Sequence, residues 1–174
     1  MGITRLRRVK REIRVLGLAS RPRDDGYTVV GVVYRGSLWL DGVLALRLGG
    51  GEEPTRGIAE AVRASPHHPQ IRVILLQDEQ LEGLRPDPYG LRREAERPVI
   101  ALSRQPSWPE PPEGIYAIGF ELELGGSRLH VLSVGLRSLE ASAVLRASTR
   151  RGETTPEALR VAGLIAEAWS KQKT

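Results

Sequence analysis

Hydrophobic residues in the first fifty positions fall into three stretches that predict β-strands. These stretches cover 14–20, 27–35 and 38–48 and are rich in β-branched and other apolar residues. Short segments with turn chemistry separate them, and the second of these is the pair Gly36-Ser37. A two-residue Gly-X turn matches the twist of paired strands. We therefore expect three antiparallel strands, with a two-residue hairpin between the second and the third.

The period of the pattern changes after the third strand. Apolar residues recur with helical spacing between Pro54 and the pair Ser65-Pro66, which predicts a short amphipathic helix. Apolar runs at 71–76 and 98–102 are typical of strands that are buried on both faces. A helical stretch near 89–96 lies between them. This strand, helix, strand order predicts parallel pairing of the two strands.

The second half of the chain predicts a proline-rich surface loop at 105–112, a hairpin and two helices. The hairpin strands are 115–124 and 128–134, and the first helix runs through Leu145 with Ser138 as its N-cap. The last helix ends near Lys171, with Thr155 as its N-cap and Pro156 at its first position. The order of elements is that of an α/β ribonuclease H-like mixed sheet, with three antiparallel strands followed by parallel strands and flanked by helices. We expect one such domain at 14–174, preceded by a basic N-terminal segment at 1–13.

Composition narrows the class of protein. The chain has 174 residues, of which 40% are hydrophobic, and it lacks an apolar run of the ~18 residues that a membrane span requires. It contains no cysteine, which excludes disulfides, thiolate nucleophiles and cysteine-ligated metal. The basic start is not followed by the apolar region of a secretory signal. We expect a globular protein of the cytoplasm without a membrane partner.

The positive charge is concentrated at the start of the chain. The formal net charge is +5, but residues 1–23 hold eight Arg and Lys residues against one Glu, a local balance of +7. Such a segment is either a solvated arm or a site that attracts phosphate. The candidate contacts to DNA or RNA are Arg7, Arg8 and Arg11, with Arg150, Arg151 and Arg160 as helpers.

Several motifs in the chain resemble those of an archaeal family of unknown function, domain of unknown function 99, which is itself similar to endonuclease V. The matching segments are 14–18, 30–36, 39–44, 72–76, 133–137 and 151–162, the last reading Arg-Gly-Glu-Thr-Thr-Pro-Glu-Ala-Leu-Arg-Val-Ala. The resemblance implies a ribonuclease H-like fold. It also implies a site where acidic side chains gather Mg²⁺ or Mn²⁺ to cut nucleic acid near a deaminated base, since hard cations take oxygen ligands and activate water.

The metal ligands of endonuclease V do not carry over to this chain. The four positions at which its motifs place functional side chains hold Ala19, Leu48, Gln77 and Leu136 here. Alanine and leucine cannot ligate a cation, so we expect no catalytic residue, no metal ligand and no cofactor at the standard centre. The protein is then a nuclease-derived module that binds nucleic acid without cutting it.

A relocated centre is the alternative. In this interpretation the chain is a metal-dependent phosphodiester hydrolase that uses Mg²⁺ or Mn²⁺. Its ligands would be Asp78 and Glu79, joined by Asp24, Asp25 or Asp41. A shift of one residue in a strand turns a side chain to the other face of the sheet, so such ligands need a β-bulge that returns their side chains to the face of the metal site.

Three other features leave alternatives open. Trp39 lies near where endonuclease V presents a strand-separating wedge, and it either stacks on a base or serves packing. The pair His67-His68 is half of a metal site or an exposed loop pair, and Gly49-Gly-Gly51 is a phosphate loop or a flexible turn. A scaffold that contacts other proteins through Trp108 and the proline loop is a third class of function.

Overall fold

The computed structural model describes residues 1–105 and 108–172. The strands are β1 (Arg14–Arg23), β2 (Gly26–Arg35), β3 (Trp39–Gly49), β4 (Val73–Gln77), β5 (Val99–Ser103), β6 (Ala117–Leu124) and β7 (Ser127–Val134). The helices are α1 (Pro54–Ala64), α2 (Asp78–Leu81), α3 (Pro88–Ala95), α4 (Ser138–Ser148) and α5 (Glu157–Ser170), with a 3-10 turn at His68–Gln70.

All seven strands form one mixed sheet in the order β3-β2-β1-β4-β5-β7-β6. The first three strands are antiparallel neighbours, and β4 and β5 add to β1 in parallel. The hairpin β6-β7 extends the sheet, with β7 antiparallel to β5. The prediction of a mixed sheet flanked by helices is confirmed.

Helices cover both faces of the sheet and enclose two hydrophobic cores. Helices α4 and α5 pack over one face through residues such as Leu145 and Leu159, and α1 and α3 pack over the other through Ile58 and Leu91. Because β1 and β4 are parallel, their carboxyl ends meet at one edge of the sheet and their amino ends at the opposite edge. These two edges are the places where functional side chains can converge.

Three local predictions were wrong by one residue. The loop between β2 and β3 has three residues, since Arg35 pairs with Trp39. Its first residue, Gly36, adopts a φ of +55° and donates its N–H to the carbonyl of Ile13, so a contact with the N-terminal segment fixes the turn. Pro156 is the N-cap of α5 and not its first residue, because its backbone is extended (ψ 139°). For the same reason Arg137 (ψ 157°), and not Ser138, is the N-cap of α4.

Helix α2 was not predicted. It is a single turn that begins directly after β4, and its four residues are too few to show a helical period. Of the proline-rich loop, Pro106 and Ser107 lie outside the described residues. None of the helices in the described part of the chain has the length and apolar character that a membrane crossing needs.

Candidate functional site

Ala19 and Gln77 lie at the carboxyl ends of β1 and β4. The register places Gly17 beside Leu75, and Ala19 and Gln77 follow two residues later on each strand. Ala19 is fully buried, and Gln77 is 4% exposed. The Gln77 side-chain amide donates to Glu79 at 2.9 Å, whereas its Oε1 atom is buried without a partner in the described structure. The two strand-end positions therefore hold a methyl group and an amide, whereas a cation site built on these positions needs carboxylates.

An arginine lies at the same edge of the sheet. The Nε atom of Arg21 donates to Glu167 at 2.9 Å and lies 3.3 Å from a carboxylate oxygen of Glu82. Its Nη1 atom donates to the carbonyls of Ser20 and Gln80 at 2.8 and 2.9 Å. The Arg21 hydrogen bond holds the pKa of the Glu167 carboxyl below its ordinary value, and Lys171 adds to the effect. A fixed guanidinium thus neutralises two of the acids near this edge.

The structure does not bring the candidate metal ligands together. Asp25 is an exposed turn residue between β1 and β2, and Asp78 is exposed at the start of α2. Glu79 bonds Gln77 and lies 3.3 Å from Arg104. Within residues 1–105 and 108–172, no group of three or more His, Asp or Glu residues is placed to hold a metal ion.

Asp41 lies at the opposite edge, near the amino end of β1. It accepts hydrogen bonds from Arg14 at 2.8 Å and from Arg35 at 3.1 Å. The Arg14 bond, assisted by Arg35, holds the pKa of Asp41 below its ordinary value. Asp41 therefore organises two arginines and is far from Gln77 along the strands. Leu136, the last of the four positions compared with the endonuclease V motifs, is fully buried.

The amino ends of the strands carry a groove of about 600 Å³, which we call the basic groove. Six Arg and Lys residues line it against a single acid, Glu12. These cations are Arg5, Arg7, Arg8, Lys10, Arg14 and Arg72. Arg7 and Arg8 were predicted from the sequence. Arg72 was not, because only the parallel pairing of β1 with β4 brings the start of β4 beside Arg14. Arg11 is exposed but does not line the groove.

Hydrogen bonds hold the N-terminal segment against the body. The N–H of Thr4 donates to the carbonyl of Gly135 at 2.7 Å, and the N–H of Leu6 donates to Glu140 at 2.8 Å. Arg92, which is 6% exposed, donates to the carbonyl of Gly2 and to the Thr4 hydroxyl, both at 3.0 Å. Burial lowers the pKa of the Arg92 guanidinium. The segment is a fixed wall of the groove and not a free arm.

Trp39 stands on the hairpin that borders the basic groove. Its side chain is 46% exposed at the first position of the edge strand β3. The guanidinium carbon of Arg35 lies 5.4 Å from the centre of the indole ring, within the range of a cation–π contact. Because Asp41 bonds both Arg35 and the groove residue Arg14, a chain of contacts joins the indole to the groove.

Two of the three predicted helper arginines have a carboxylate partner. Arg160 donates to both oxygens of Glu157 at 2.8 Å, and Arg150 lies 3.4 Å from the same carboxylate, which is 1% exposed. Arg151 is exposed. Arg150 and Arg160 thus balance a buried charge, and the groove does not include them.

The remaining features have structural contacts. His68 bonds the carbonyl of Ala95 at 2.9 Å; Gly49 ends β3, and Gly50 and Gly51 form the turn that follows it. Trp108 packs against the core that α1 and α3 cover. Neither the histidine pair nor the glycine turn presents a ligand cluster within the described ranges.

Curated relatives of this chain come from archaea. A UPF0215 protein of Methanothermobacter thermautotrophicus is 31% identical over 183 aligned positions, which cover 92% of this chain and 89% of the relative. The chain belongs to the UPF0215 family. A family member from Methanopyrus kandleri is 44% identical over 106 residues, covering 58% of this chain and about half (54%) of that protein. No model of a known protein family matches the chain.

Solved structures show the fold that this UPF0215 member shares. A protein of unknown function from Archaeoglobus fulgidus superposes with a TM-score of 0.71 at 24% identity, covering 90% of this chain and 97% of that one. Human ENDOV gives a TM-score of 0.65 at 15% identity, with coverages of 92% and 85%. Ciona intestinalis endonuclease V, solved with an inosine-containing DNA, gives 0.58 at 14% identity, with coverages of 91% and 86%. The expected ribonuclease H-like fold and the structural similarity to endonuclease V are confirmed.

Proposed function

We propose that this UPF0215 protein binds nucleic acid in the basic groove and lacks the metal-dependent nuclease centre of endonuclease V. The observation that carries the proposal is that the cations and the positions of the endonuclease V centre lie at opposite edges of the sheet. The cations gather at the amino ends of β1 and β4, whereas Ala19 and Gln77 occupy the opposite edge. We also propose that UPF0215 and the domain of unknown function 99 are the same family.

The electrostatics of the groove support this function. Arg14 is paired with Asp41, but the other five cations of the groove form no ion pair in the described part of the chain. They attract a phosphate backbone of either DNA or RNA, and each neutralised phosphate releases bound counterions. The half-exposed indole of Trp39 offers a ring on which a base can stack beside the groove. A solved structural neighbour, Ciona intestinalis endonuclease V, holds DNA on the same fold.

Salt dependence tests the groove directly. We expect the affinity of a short labelled strand to fall steeply between ~50 and ~200 mM salt. Replacing Arg7, Arg8 and Arg72 together by alanine should lower affinity about a hundredfold at low salt and reduce the slope of log K against log salt by about two to three. Fluorescence anisotropy titrations of both proteins at several salt concentrations give these values.

A matched variant removes the same charge elsewhere. Arg63, Arg93 and Arg146 are exposed on α1, α3 and α4 and do not line the groove. Their joint replacement by alanine should change the affinity and the salt slope much less than the triple replacement in the basic groove does. Binding that ignores salt, or that weakens equally in the two triple variants, would contradict the proposal.

Metal titration tests the second part of the proposal. Since the described residues hold no group of three or more His, Asp or Glu placed to bind a metal ion, we expect titration calorimetry with Mg²⁺ or Mn²⁺ to show no saturable site and inosine-containing strands to stay intact. A site of one-to-one stoichiometry that disappears in Glu79→Gln, together with strand cleavage, would establish the relocated hydrolase instead. Glu60→Gln is the matched control, because that carboxylate is exposed on α1 and is not among the candidate ligands.

A further inference from the structure

A second depression continues the basic groove, and we call it the side pocket. It measures about 540 Å³ and lies between the first residues of the chain and the loop before β6. Arg5 lines both the side pocket and the basic groove, so the two form one continuous surface. Tyr116 and Arg137 form the far wall, and Ile3 and Ile115 add apolar surface.

The walls of the side pocket are fixed by backbone hydrogen bonds. The N–H of Gly135 donates to the carbonyl of Tyr116 at 2.9 Å, and Gly135 in turn accepts from the N–H of Thr4 at 2.7 Å. The main-chain nitrogen of Met1 donates to the carbonyl of Gly114 at 2.6 Å. Tyr116 and Ile3 are therefore held on opposite walls by backbone hydrogen bonds.

The chemistry of the lining suits a nucleotide. Arg5 and Arg137 are exposed, and neither forms an ion pair with a carboxylate in the described part of the chain, so both are available to a phosphate. Tyr116 is half-buried and offers a ring, and Ile3 and Ile115 offer apolar contact to a base. The volume lies within the ~300 to ~1,000 Å³ typical of ligand pockets.

We propose that the side pocket receives one unpaired nucleotide of the strand that the basic groove holds, with its base against Tyr116 and its phosphate between Arg5 and Arg137. This inference rests on the proposed function of the groove. A paired base is stacked inside a duplex and cannot reach the pocket, whereas an unpaired base can swing out. The protein should therefore prefer nucleic acid that carries an unpaired nucleotide to a continuous duplex.

Three matched DNA probes test the proposal. They are a blunt duplex, the same duplex with one bulged nucleotide, and the bulged duplex with an abasic residue at the bulge. The bulged duplex should bind about tenfold more tightly than the blunt one, because stacking of one base on an aromatic ring commonly supplies that much. The abasic bulge should lose this preference.

Protein variants locate the preference in the side pocket. Tyr116→Ala should bind all three probes alike, with the affinity of wild type for the blunt duplex, whereas Tyr116→Phe should keep the preference. Arg137→Ala should reduce the preference and the salt slope for the bulged probe, while Arg146→Ala on the neighbouring helix α4 should not. Because Arg137 is exposed, its variant tests the pocket even where Tyr116→Ala fails to fold.

The outcomes separate this inference from the function on which it rests. Equal affinity for the blunt and bulged probes, combined with salt-dependent binding that Arg7→Ala, Arg8→Ala and Arg72→Ala weaken, would overturn the side pocket and leave the groove intact. Salt-independent binding of every probe would overturn the groove itself. A preference for the bulge that survives both Tyr116→Ala and Arg137→Ala would place the unpaired nucleotide elsewhere and also overturn the proposal.

Discussion

Replacing Gly17 with alanine is expected to lower the free energy of unfolding by about 3 kcal/mol. Helix α5 crosses β1 so closely at this glycine that an added methyl group would overlap the carbonyl carbon of Ala158. It would also lie 2.6 Å from the Ala158 oxygen and 2.7 Å from the Leu159 nitrogen. Since these are backbone atoms, no side-chain rotation relieves the overlap, and α5 must move away from the sheet. Chemical denaturation followed by circular dichroism measures the loss.

Gly51→Ala provides the comparison for this experiment. Gly51 has no neighbouring atom within 4 Å of an added methyl group, and its φ lies outside the left-handed region. Its replacement should change stability by less than about 0.5 kcal/mol. If Gly17→Ala unfolded at the same denaturant concentration as Gly51→Ala, the close approach of α5 to β1 would be wrong. Displacement of α5 in Gly17→Ala would also disturb the edge where β1 and β4 end, because α5 carries Glu167, the partner of Arg21.

The periodicity of the sequence predicted most of the fold. Strand and helix patterns in the chain gave the antiparallel and parallel strands in their correct order, because each element buries a face with its own period. The misses have local causes. Gly36 is fixed by the carbonyl of Ile13, a contact outside the hairpin, and α2 is one turn long. The proline ring fixes the φ of Pro156 but leaves its ψ free to be extended, so the sequence does not show whether Pro156 is the N-cap or the first helical residue.

The candidate site was less predictable, because its residues come together only through the sheet order. The concentration of arginines before β1 indicated a phosphate site, but Arg72 joined it through a strand pairing that the sequence does not display. Arg21 was counted only as a charge, since its partner Glu167 lies 146 residues away. Asp41 carried no signal of its pairing with Arg14, so it remained a candidate metal ligand until its position at the opposite edge was known.

Replacing Glu157 with glutamine is expected to destabilise the protein by about 2 kcal/mol at pH 7. The carboxylate is 1% exposed and accepts two hydrogen bonds from Arg160, and glutamine would turn an N–H donor toward guanidinium donors. The partially exposed Arg160 side chain stays solvated, so the loss should be smaller than for a fully buried pair. Glu60→Gln removes an exposed carboxylate from a helical pair and should cost less than about 0.5 kcal/mol.

The pH dependence of this pair has a definite sign. The Arg160 hydrogen bonds hold the pKa of Glu157 below its ordinary value, so the folded state binds the proton less readily than the unfolded state. The stability that Glu157 contributes is therefore fully present above the unfolded pKa of about 4.3 and is lost as the pH falls through the lower folded pKa. The gap in unfolding free energy between wild type and Glu157→Gln should narrow as the pH falls below about 4. A gap that stayed constant between pH 7 and pH 3 would show that the charge of Glu157 does not stabilise the fold.

The same variant also decides whether Arg150 and Arg160 contact nucleic acid. In the wild type both guanidinium groups lie against Glu157, and removing that charge leaves them without their carboxylate partner. If nucleic acid reached these arginines, Glu157→Gln would bind it more tightly and with a steeper salt slope. Because neither arginine lines the basic groove, we expect the affinity and slope of Glu157→Gln to equal those of wild type under conditions where the variant is folded. Tighter binding would extend the nucleic-acid interface from the amino edge of the sheet to the start of α5.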